Sequence, residues 1–176
     1  ILEGLSVDDL DDGQDDNTGY VSLMHGTSPE QNNYSSFNEE VDSIVEVIES
    51  LAAADAKLNE ICLVARTNSL RDDYSRALNK HGFQTYEIKT NGAEDRSISG
   101  IRVATMHRVK GLEFQHLFVA GVNEGIVPLG IVQSVDPVEI REFELSERAL
   151  LHVAMTRAIK SLVVTSYGQA SLFLNI

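Results

Sequence analysis

The sequence has few of the features that mark secreted, disulfide-bonded or membrane proteins. Its single cysteine, Cys62, cannot form a disulfide within the chain, and it lies in the apolar run ICLVA, where we expect a small buried side chain. No run approaches eighteen apolar residues, and the first residues lack the basic start and apolar middle of a secretory signal. We therefore expect a soluble cytoplasmic protein without a membrane partner.

Basic residues are absent from the first third of the chain. Residues 1–56 contain fourteen Asp and Glu and no Lys or Arg, whereas residues 57–176 contain thirteen acids and fourteen bases. The formal net charge of −13 therefore belongs to the N-terminal part, and the rest is nearly neutral. Any contact with nucleic-acid phosphates must come from a few placed side chains, because there is no general basic surface.

A complete nucleotide-hydrolysis site is also absent. None of the twelve glycines is followed by lysine, so there is no G-x-x-x-x-G-K-[ST] phosphate loop. No Asp-Glu pair follows an apolar strand to hold a magnesium ion. The chain by itself can supply at most half of such a site.

The length of 176 residues predicts one globular domain. Residues 1–18 are acidic and polar with few apolar anchors, and we interpret them as a poorly ordered leader or linker. Residues 19–176 form the predicted domain.

Within that domain, the apolar pattern alternates between strands and helices. Short apolar runs predict strands at 20–25, 60–66, 84–88, 101–106, 116–122 and 161–167. Helical periodicity predicts a helix from Phe37 to about Ala54, one capped by Asn68 or Ser69 and ending at Gly82, and one from Ser146 through Lys160. Residues 26–36 and 124–137 are predicted loops.

This alternation predicts an α/β fold, with a mainly parallel sheet and helices on both faces. Ligands of such sheets gather at the carboxyl ends of the strands. The runs CLVAR and VATMH both place polar residues at that position.

Three segments, in order, carry a family resemblance. They are ICLVARTNSLRDDYSRALNKHGFQTYEI, VATMHRVKGLEFQHLFVAGVNEGIVP and SERALLHVAMTRAIKSLVVT. Over residues 37–167 the chain resembles the second RecA-like motor domain of the UvrD/PcrA/Rep family of superfamily 1 DNA helicases, through its motifs IV, V and VI. The resemblance implies a RecA-like fold, related to P-loop NTPases, without a phosphate loop of its own.

The resemblance assigns four residues to a nucleotide site. Arg157 would be the arginine finger acting on the γ-phosphate, and Arg66 would make a second phosphate contact. Glu113 would accept a hydrogen bond from the nucleotide sugar, and Gly111 would permit close backbone approach. The structural alternatives are a cation at a helix C-terminus for Arg157, a surface arginine for Arg66 and a buried acid satisfied by a turn for Glu113.

The resemblance also assigns a DNA interface. Thr105, His107 and Lys110 match positions that face single-stranded DNA, although His107 alone is nearly as well explained as a core histidine. Glu147 and Arg148 match the acid and base that open motif VI, and the open alternative is a pairing with each other or with neighbours.

The sequence departs from the family at several positions. Ala65 replaces the tyrosine that commonly stacks on adenine, so stacking from this side is in question. Ala149 stands where a second arginine is usual, and His152 replaces a tyrosine. Only about fifteen residues separate Ile88 from Val103, where UvrD, PcrA and Rep insert an accessory domain.

The resemblance therefore implies the C-terminal motor domain of an ATP-dependent DNA helicase. ATP with Mg²⁺ would bind between this domain and a first RecA-like domain of the same polypeptide, and single-stranded DNA would be the other partner. The isolated chain would be inactive. The alternative is a non-catalytic, helicase-derived module that docks a protein partner through its acidic N-terminal segment.

Overall fold

The computed structural model describes residues 28–89, 95, 97–130 and 136–174. Its centre is a six-stranded sheet in the order β1-β6-β5-β2-β4-β3, and each strand pairs with its neighbours in parallel. The strands are β1 Glu30–Tyr34, β2 Ile61–Ala65, β3 Thr85–Glu87, β4 Ile101–Thr105, β5 Phe114–Val119 and β6 Ala158–Tyr167. The helices are α1 Phe37–Ala53, α2 Asn68–Lys80 and α3 Pro137–Met155. The predicted α/β fold with a parallel sheet is confirmed.

Helices cover both faces of the sheet. On β2, the side chains of Ile61, Leu63 and Ala65 pack in the core beneath α1 and α2, whereas those of Cys62 and Val64 pack in the core beneath α3. All five residues are fully buried. A central parallel strand is apolar on both faces for this reason, which explains the uninterrupted run ICLVA.

The α1 helix follows its sequence pattern closely. Val41, Ile44 and Ile48 form part of a buried stripe at spacings of three and four. At its start, the Ser36 hydroxyl accepts a hydrogen bond from the Glu39 amide at 3.3 Å, which satisfies one of the unpaired donors of the first turn. The predicted span ending near Ala54 is confirmed to within one residue.

Two helix starts differ from prediction. The α2 helix is capped by Thr67, whose hydroxyl accepts from Leu70 N at 3.2 Å, rather than by Asn68 or Ser69. The α3 helix begins well before Ser146, because Asp136 accepts from Val138 N at 2.9 Å and Pro137 occupies the first helical turn. An Asp-Pro pair favours this start, and the prediction of a loop through residue 137 missed it.

The predicted loop at residues 26–36 contains the edge strand β1. Its polar sequence EQNNY has little strand character, but its backbone pairs with β6 along the edge of the sheet. Pairing with a longer neighbour thus overrode the local preference. The predicted strand at 20–25 and the acidic leader at 1–18 lie outside the described residues.

The connection from β3 to β4 is short. Arg102 on β4 is fully buried, and its guanidinium donates hydrogen bonds of 2.8 Å to the carbonyls of Asp95, Ile98 and Gly100. The same guanidinium lies 5.0 Å from the centre of the Tyr86 ring. One side chain thereby holds the end of this connection against the sheet.

A buried carboxylate joins α1, α2 and the chain after β5. Glu40 has no exposed surface, accepts a hydrogen bond from the Tyr74 hydroxyl and accepts another from Gly121 N at 3.0 Å. Burial raises the pKa of Glu40, and the hydrogen bonds oppose that rise. Among the helices that the structure describes, none is both long and apolar enough to cross a membrane.

Candidate functional site

The segment 106–113 connects the side of the sheet where the strands end, called the carboxyl edge, with the side where they begin, called the amino edge. It begins directly after Thr105, at the carboxyl end of β4, and leads into Phe114, at the amino end of β5. Because the strands run parallel in this sheet, the segment must return across one face from the carboxyl edge to the amino edge. The side chains of Met106 and Val109 are buried in the core beneath α3 and anchor the crossing.

The polar residues of this segment consequently lie at different positions along the strand direction and differ in solvent exposure. Thr105 is 7% exposed at the end of its strand, whereas His107 and Lys110 are exposed. Exposure of His107 argues against the alternative of a core histidine. Glu113 is also exposed, directly before β5 begins.

Gly111 is required by its backbone conformation. Its φ angle is +82°, in the left-handed region that side chains with a Cβ rarely adopt. A Cβ built there would meet no atom within 4 Å, so no packing within this domain excludes a side chain.

A groove of about 280 Å³ lies on the carboxyl side, between segment 106–110 and α3. It is lined by Met106, His107, Lys110, Ser146, Glu147, Ala149, Leu150 and Val153. Apolar side chains form much of its wall, and an imidazole and an ammonium group stand at its side. This combination suits a single strand of nucleic acid, which presents both bases and phosphates.

Arg66 lies at the same carboxyl edge, directly after β2. Its Nε donates to Glu147 Oε2 at 2.9 Å, and its Nη2 donates to Oε1 at 2.6 Å. The side chains are only 10% and 6% exposed. The open question for Glu147 is thereby answered, since its partner is Arg66 and not the adjacent Arg148. Arg148 instead stacks over Phe173, with its guanidinium carbon 4.1 Å from the ring centre.

Arg157 lies at the opposite, amino edge. It follows the last turn of α3, where its Nε donates to Val153 O and its Nη2 donates to Thr156 Oγ1, both at 3.0 Å. Its carbonyl accepts a hydrogen bond from Phe114 N at 2.9 Å. That bond makes Arg157 a neighbour of Glu113, which precedes Phe114 in the chain.

A second groove, of about 620 Å³, opens beside Glu113 and beside Thr156 and Ala158, the two residues that flank Arg157 in the chain. Its lining consists of Pro29, Glu113, His152, Met155, Thr156, Ala158, Ile159, Lys160, Ser161 and Leu162. His152 is one of the departures noted in the sequence, and no sequence motif assigned it to a site. Its position within the HVAMTRA segment was the available signal.

A histidine that is hydrogen-bonded to a serine lies beside the same groove. His116 Nδ1 and Ser161 Oγ are 2.8 Å apart. Burial and the nearby Lys160 ammonium lower the pKa of His116, and the Glu60 carboxylate partly opposes them. The net effect favours the uncharged imidazole.

The bond from Phe114 N to Arg157 O places the backbones of Arg157 and Glu113 close to each other, and both are separated from Arg66. In register, Phe114 aligns with Ala158, and Val119 aligns with Val64, so about eight residues of strand lie between the levels of Arg157 and Arg66. At about 3.3 Å per residue this is roughly 25 Å. This is a separation of backbone levels, and the Arg157 side chain turns back along α3 to Val153 O. A joint contact of Arg66 and Arg157 with the γ-phosphate stays a prediction.

The structure also shows where two other departures from the family, Ala65 and Ala149, lie. Ala65 is fully buried and faces the core beneath α1 and α2, so its side chain does not approach a nucleotide. Ala149 lines the carboxyl-side groove and leaves it wider than an arginine would. Across the described residues, no three His, Cys, Asp and Glu side chains lie together as metal ligands.

Comparison with known proteins shows what the chain is similar to. Residues 87–169, from the end of β3 through β6, match the family described as the UvrD-like helicase C-terminal domain. A solved structure with the same fold, the C-terminal domain of a possible DNA helicase from Lactobacillus plantarum, has a TM-score of 0.65. It covers 85% of this chain and 80% of its own, at 21% identity, which supports the fold alone. Over residues 87–169, a little under half of the chain, the sequence is similar to the UvrD-like helicase C-terminal domains, and the predicted RecA-like fold is confirmed.

Individual relatives include two bacterial helicases. The ATP-dependent DNA helicase Rep of Buchnera aphidicola is 41% identical over 75 residues, which is 39% of this chain and 10% of that protein. The ATP-dependent DNA helicase PcrA of Staphylococcus epidermidis is 37% identical over 76 residues, which is 43% of this chain and 10% of that protein. The matched region thus spans about a tenth of the length of these relatives.

Proposed function

We propose that this chain is the C-terminal motor domain of an ATP-dependent DNA helicase, with single-stranded DNA at its carboxyl edge and ATP at its amino edge. The observation that carries the proposal is the course of segment 106–113, which runs from His107 and Lys110 to Glu113. One short segment thereby contributes side chains to both grooves.

For the nucleotide side, the support comes from Arg157 and Glu113. Arg157 is held by a carbonyl and a hydroxyl, and neither group neutralises its positive charge. The guanidinium therefore remains suited to binding a phosphate. Glu113 stands beside it with an exposed carboxylate suited to a sugar hydroxyl. ATP with Mg²⁺ would be held mainly by a first RecA-like domain of the same polypeptide, and closure of the two domains would bring Arg157 to the γ-phosphate.

For the DNA side, the support comes from the groove with His107 and Lys110. A lysine beside an apolar wall offers one phosphate contact and room for bases. Thr105 lies at the base of this segment and has little exposed surface, so its contribution is through the backbone turn in which Arg108 N donates to its carbonyl at 2.8 Å. Arg66 belongs to this edge as well, where Glu147 neutralises its charge.

The experiment uses the polypeptide that carries both motor domains. Arg157→Ala should lower DNA-stimulated ATP hydrolysis on the order of a thousandfold or more, because it removes the cation that opposes charge developing on the γ-phosphoryl group. DNA affinity should remain close to normal. The matched control is Arg76→Ala, an exposed arginine of α2 that is paired with Asp73. Near-normal turnover in Arg157→Ala would refute the assignment.

Two further measurements separate the halves of the proposal. Lys110→Ala should weaken binding to single strands of any sequence and reduce the slope of log affinity against log salt by about 1. The 176-residue chain alone should hydrolyse no ATP, since it has no G-K-[ST] loop. Turnover by that chain would contradict the half-site argument.

A further inference from the structure

The groove at the amino edge lies where β6 extends beyond β1. The strand β6 has ten residues, Ala158–Tyr167, and β1 pairs with its second half, since Glu30 aligns with Val163. The first half, residues 158–162, lies entirely in the lining of the groove of about 620 Å³. Pro29, which directly precedes β1, lines the same groove. The groove is thus a step in the edge of the sheet, at the point where the chain enters β1.

Apolar side chains form much of the wall of this groove. They include Met155, Ile159 and Leu162. Ile159 is 38% exposed, although most large apolar side chains of the described residues are buried. An exposed apolar side chain beside further apolar lining favours an occupant that brings apolar groups of its own.

The charges beside the groove favour an occupant that also carries carboxylates. Lys160 lies in the lining, and Arg157 lies in the chain between two lining residues. Burial lowers the pKa of His116, and the Lys160 ammonium lowers it further, so the positive charge of Lys160 acts on this part of the surface. Among the described lining residues Glu113 is the one carboxylate, and it opposes these bases only in part.

The chain contains a segment of complementary composition close to this groove. Segment 5–16, LSVDDLDDGQDD, has six aspartates, no base and three apolar side chains, those of Leu5, Val7 and Leu10. Because Pro29 lines the groove, the N-terminal part of the chain is attached at its rim. The twelve residues from Asn17 to Ser28 span up to about 40 Å when extended, so segment 5–16 can reach the groove. Attachment over such a length corresponds to an effective concentration on the order of 1 mM.

We propose that segment 5–16 docks into the amino-edge groove of its own chain, with its apolar side chains against Ile159 and its aspartates beside Lys160 and Arg157. The docking does not depend on the proposed function. Its consequence does rest on that function, because an occupied groove competes with the phosphates of a nucleotide for the same bases. With a docking dissociation constant of about 0.1–1 mM, an effective concentration of about 1 mM weakens nucleotide binding about two- to tenfold.

A spin label on the segment tests the docking in the 176-residue chain. Val7→Cys supplies the attachment site, and the native Cys62 stays unlabelled because it is fully buried. The label should strongly broaden the NMR methyl signals of Ile159. The methyl signals of Leu145, which is also 38% exposed but lies in the first half of α3, should keep their intensity. Equal effects at the two positions would overturn the proposal.

Charge variants show whether the aspartates and Lys160 hold the segment. In one variant, four aspartates of the segment become asparagine, namely Asp8, Asp9, Asp11 and Asp12. This variant and Lys160→Gln should each restore more than half of the lost Ile159 signal, because each removes one side of the charge attraction. The matched control is Lys80→Gln, at the exposed end of α2, which should leave the broadening unchanged. Raising the salt to about 0.5 M should also restore the signal. Broadening that persists through all of these changes would contradict the proposed docking.

A mixing experiment identifies the occupant of the groove. Spin-labelled chain without isotope label is added to isotope-labelled chain without spin label. Docking within one chain predicts that the Ile159 signals of the isotope-labelled chain stay sharp. Their broadening would assign the groove to the segment of a second copy and refute docking within the chain.

The consequence is measured in the polypeptide that carries both motor domains. The four-asparagine variant should lower KM for ATP about two- to tenfold and keep kcat, since it frees the groove without touching the bases. An unchanged KM would refute the competition. Near-normal turnover in Arg157→Ala, with Ile159 still broadened by the label, would refute the nucleotide assignment and leave the docking in place. Loss of the broadening would refute the docking and leave the role of Arg157 in place.

Discussion

Replacing Tyr74 with phenylalanine tests the buried carboxylate of Glu40 directly. The Tyr74 hydroxyl donates to that carboxylate, which has no exposed surface. The substitution removes one oxygen and keeps the ring, which packs against Phe37 with the ring centres 5.0 Å apart. Any change in stability therefore reports the lost hydrogen bond rather than lost packing.

The expected magnitude follows from the charge of the acceptor. A hydrogen bond to a charged group contributes about 1.5–3 kcal/mol, and water cannot replace it at a site without exposed surface. For a chain of this length we expect a loss of about 2 kcal/mol, or about 4–8 °C in melting temperature. Urea unfolding at pH 7 measures it. The control is Tyr34→Phe, which removes a neutral, half-buried hydrogen bond of 2.5 Å to Ser43 and should cost about 1 kcal/mol or less.

The loss should also depend on pH. Burial raises the pKa of Glu40 above its ordinary value of 4.5, so the native state holds this proton to a higher pH than the unfolded state does. Stability therefore falls as pH rises from 4.5 through the pKa of the native state. The Tyr74 hydrogen bond lowers this pKa, so Tyr74→Phe raises it further and steepens the fall. The difference between native and variant proteins should therefore grow from pH 4.5 to neutral pH. A difference below about 0.5 kcal/mol at pH 7, or one that does not change with pH, would refute an ionised, hydrogen-bonded Glu40.

Two other substitutions test single features of the structure. Gly111→Ala should cost about 1–2 kcal/mol in urea unfolding, because φ is +82° and no neighbour clashes; a loss near zero would show that the segment adopts another backbone conformation. His116→Gln should flatten the pH dependence of the melting temperature below about pH 6.5, since the lowered pKa of His116 makes the native state bind fewer protons and gain stability as pH rises. Identical profiles for the two proteins would contradict that shift.

Local patterns in the sequence determined much of the fold. The α1 stripe and the buried run ICLVA were predicted because burial on one or both faces leaves a regular apolar period. Asp136 and Pro137 signal the start of α3, but its first turns leave no apolar period, because the buried residues of the helix are Glu147, Leu151 and Ala154. The strand β1 had no such signal, because its pairing with β6 depends on residues more than a hundred positions away.

The sequence by itself determined the family resemblance and the candidate residues, since segment 103–114 and the TRA motif at 156–158 can be read without coordinates. It did not determine which of those residues share a site. Arg66 ends an apolar run and Arg157 ends a helical pattern, so the two look equivalent in the sequence. In the structure, Arg66 follows the strand β2, whereas Arg157 precedes the strand β6. In a parallel sheet these positions lie at opposite edges, and only the strand register shows that Glu113 accompanies Arg157 while Arg66 pairs with Glu147.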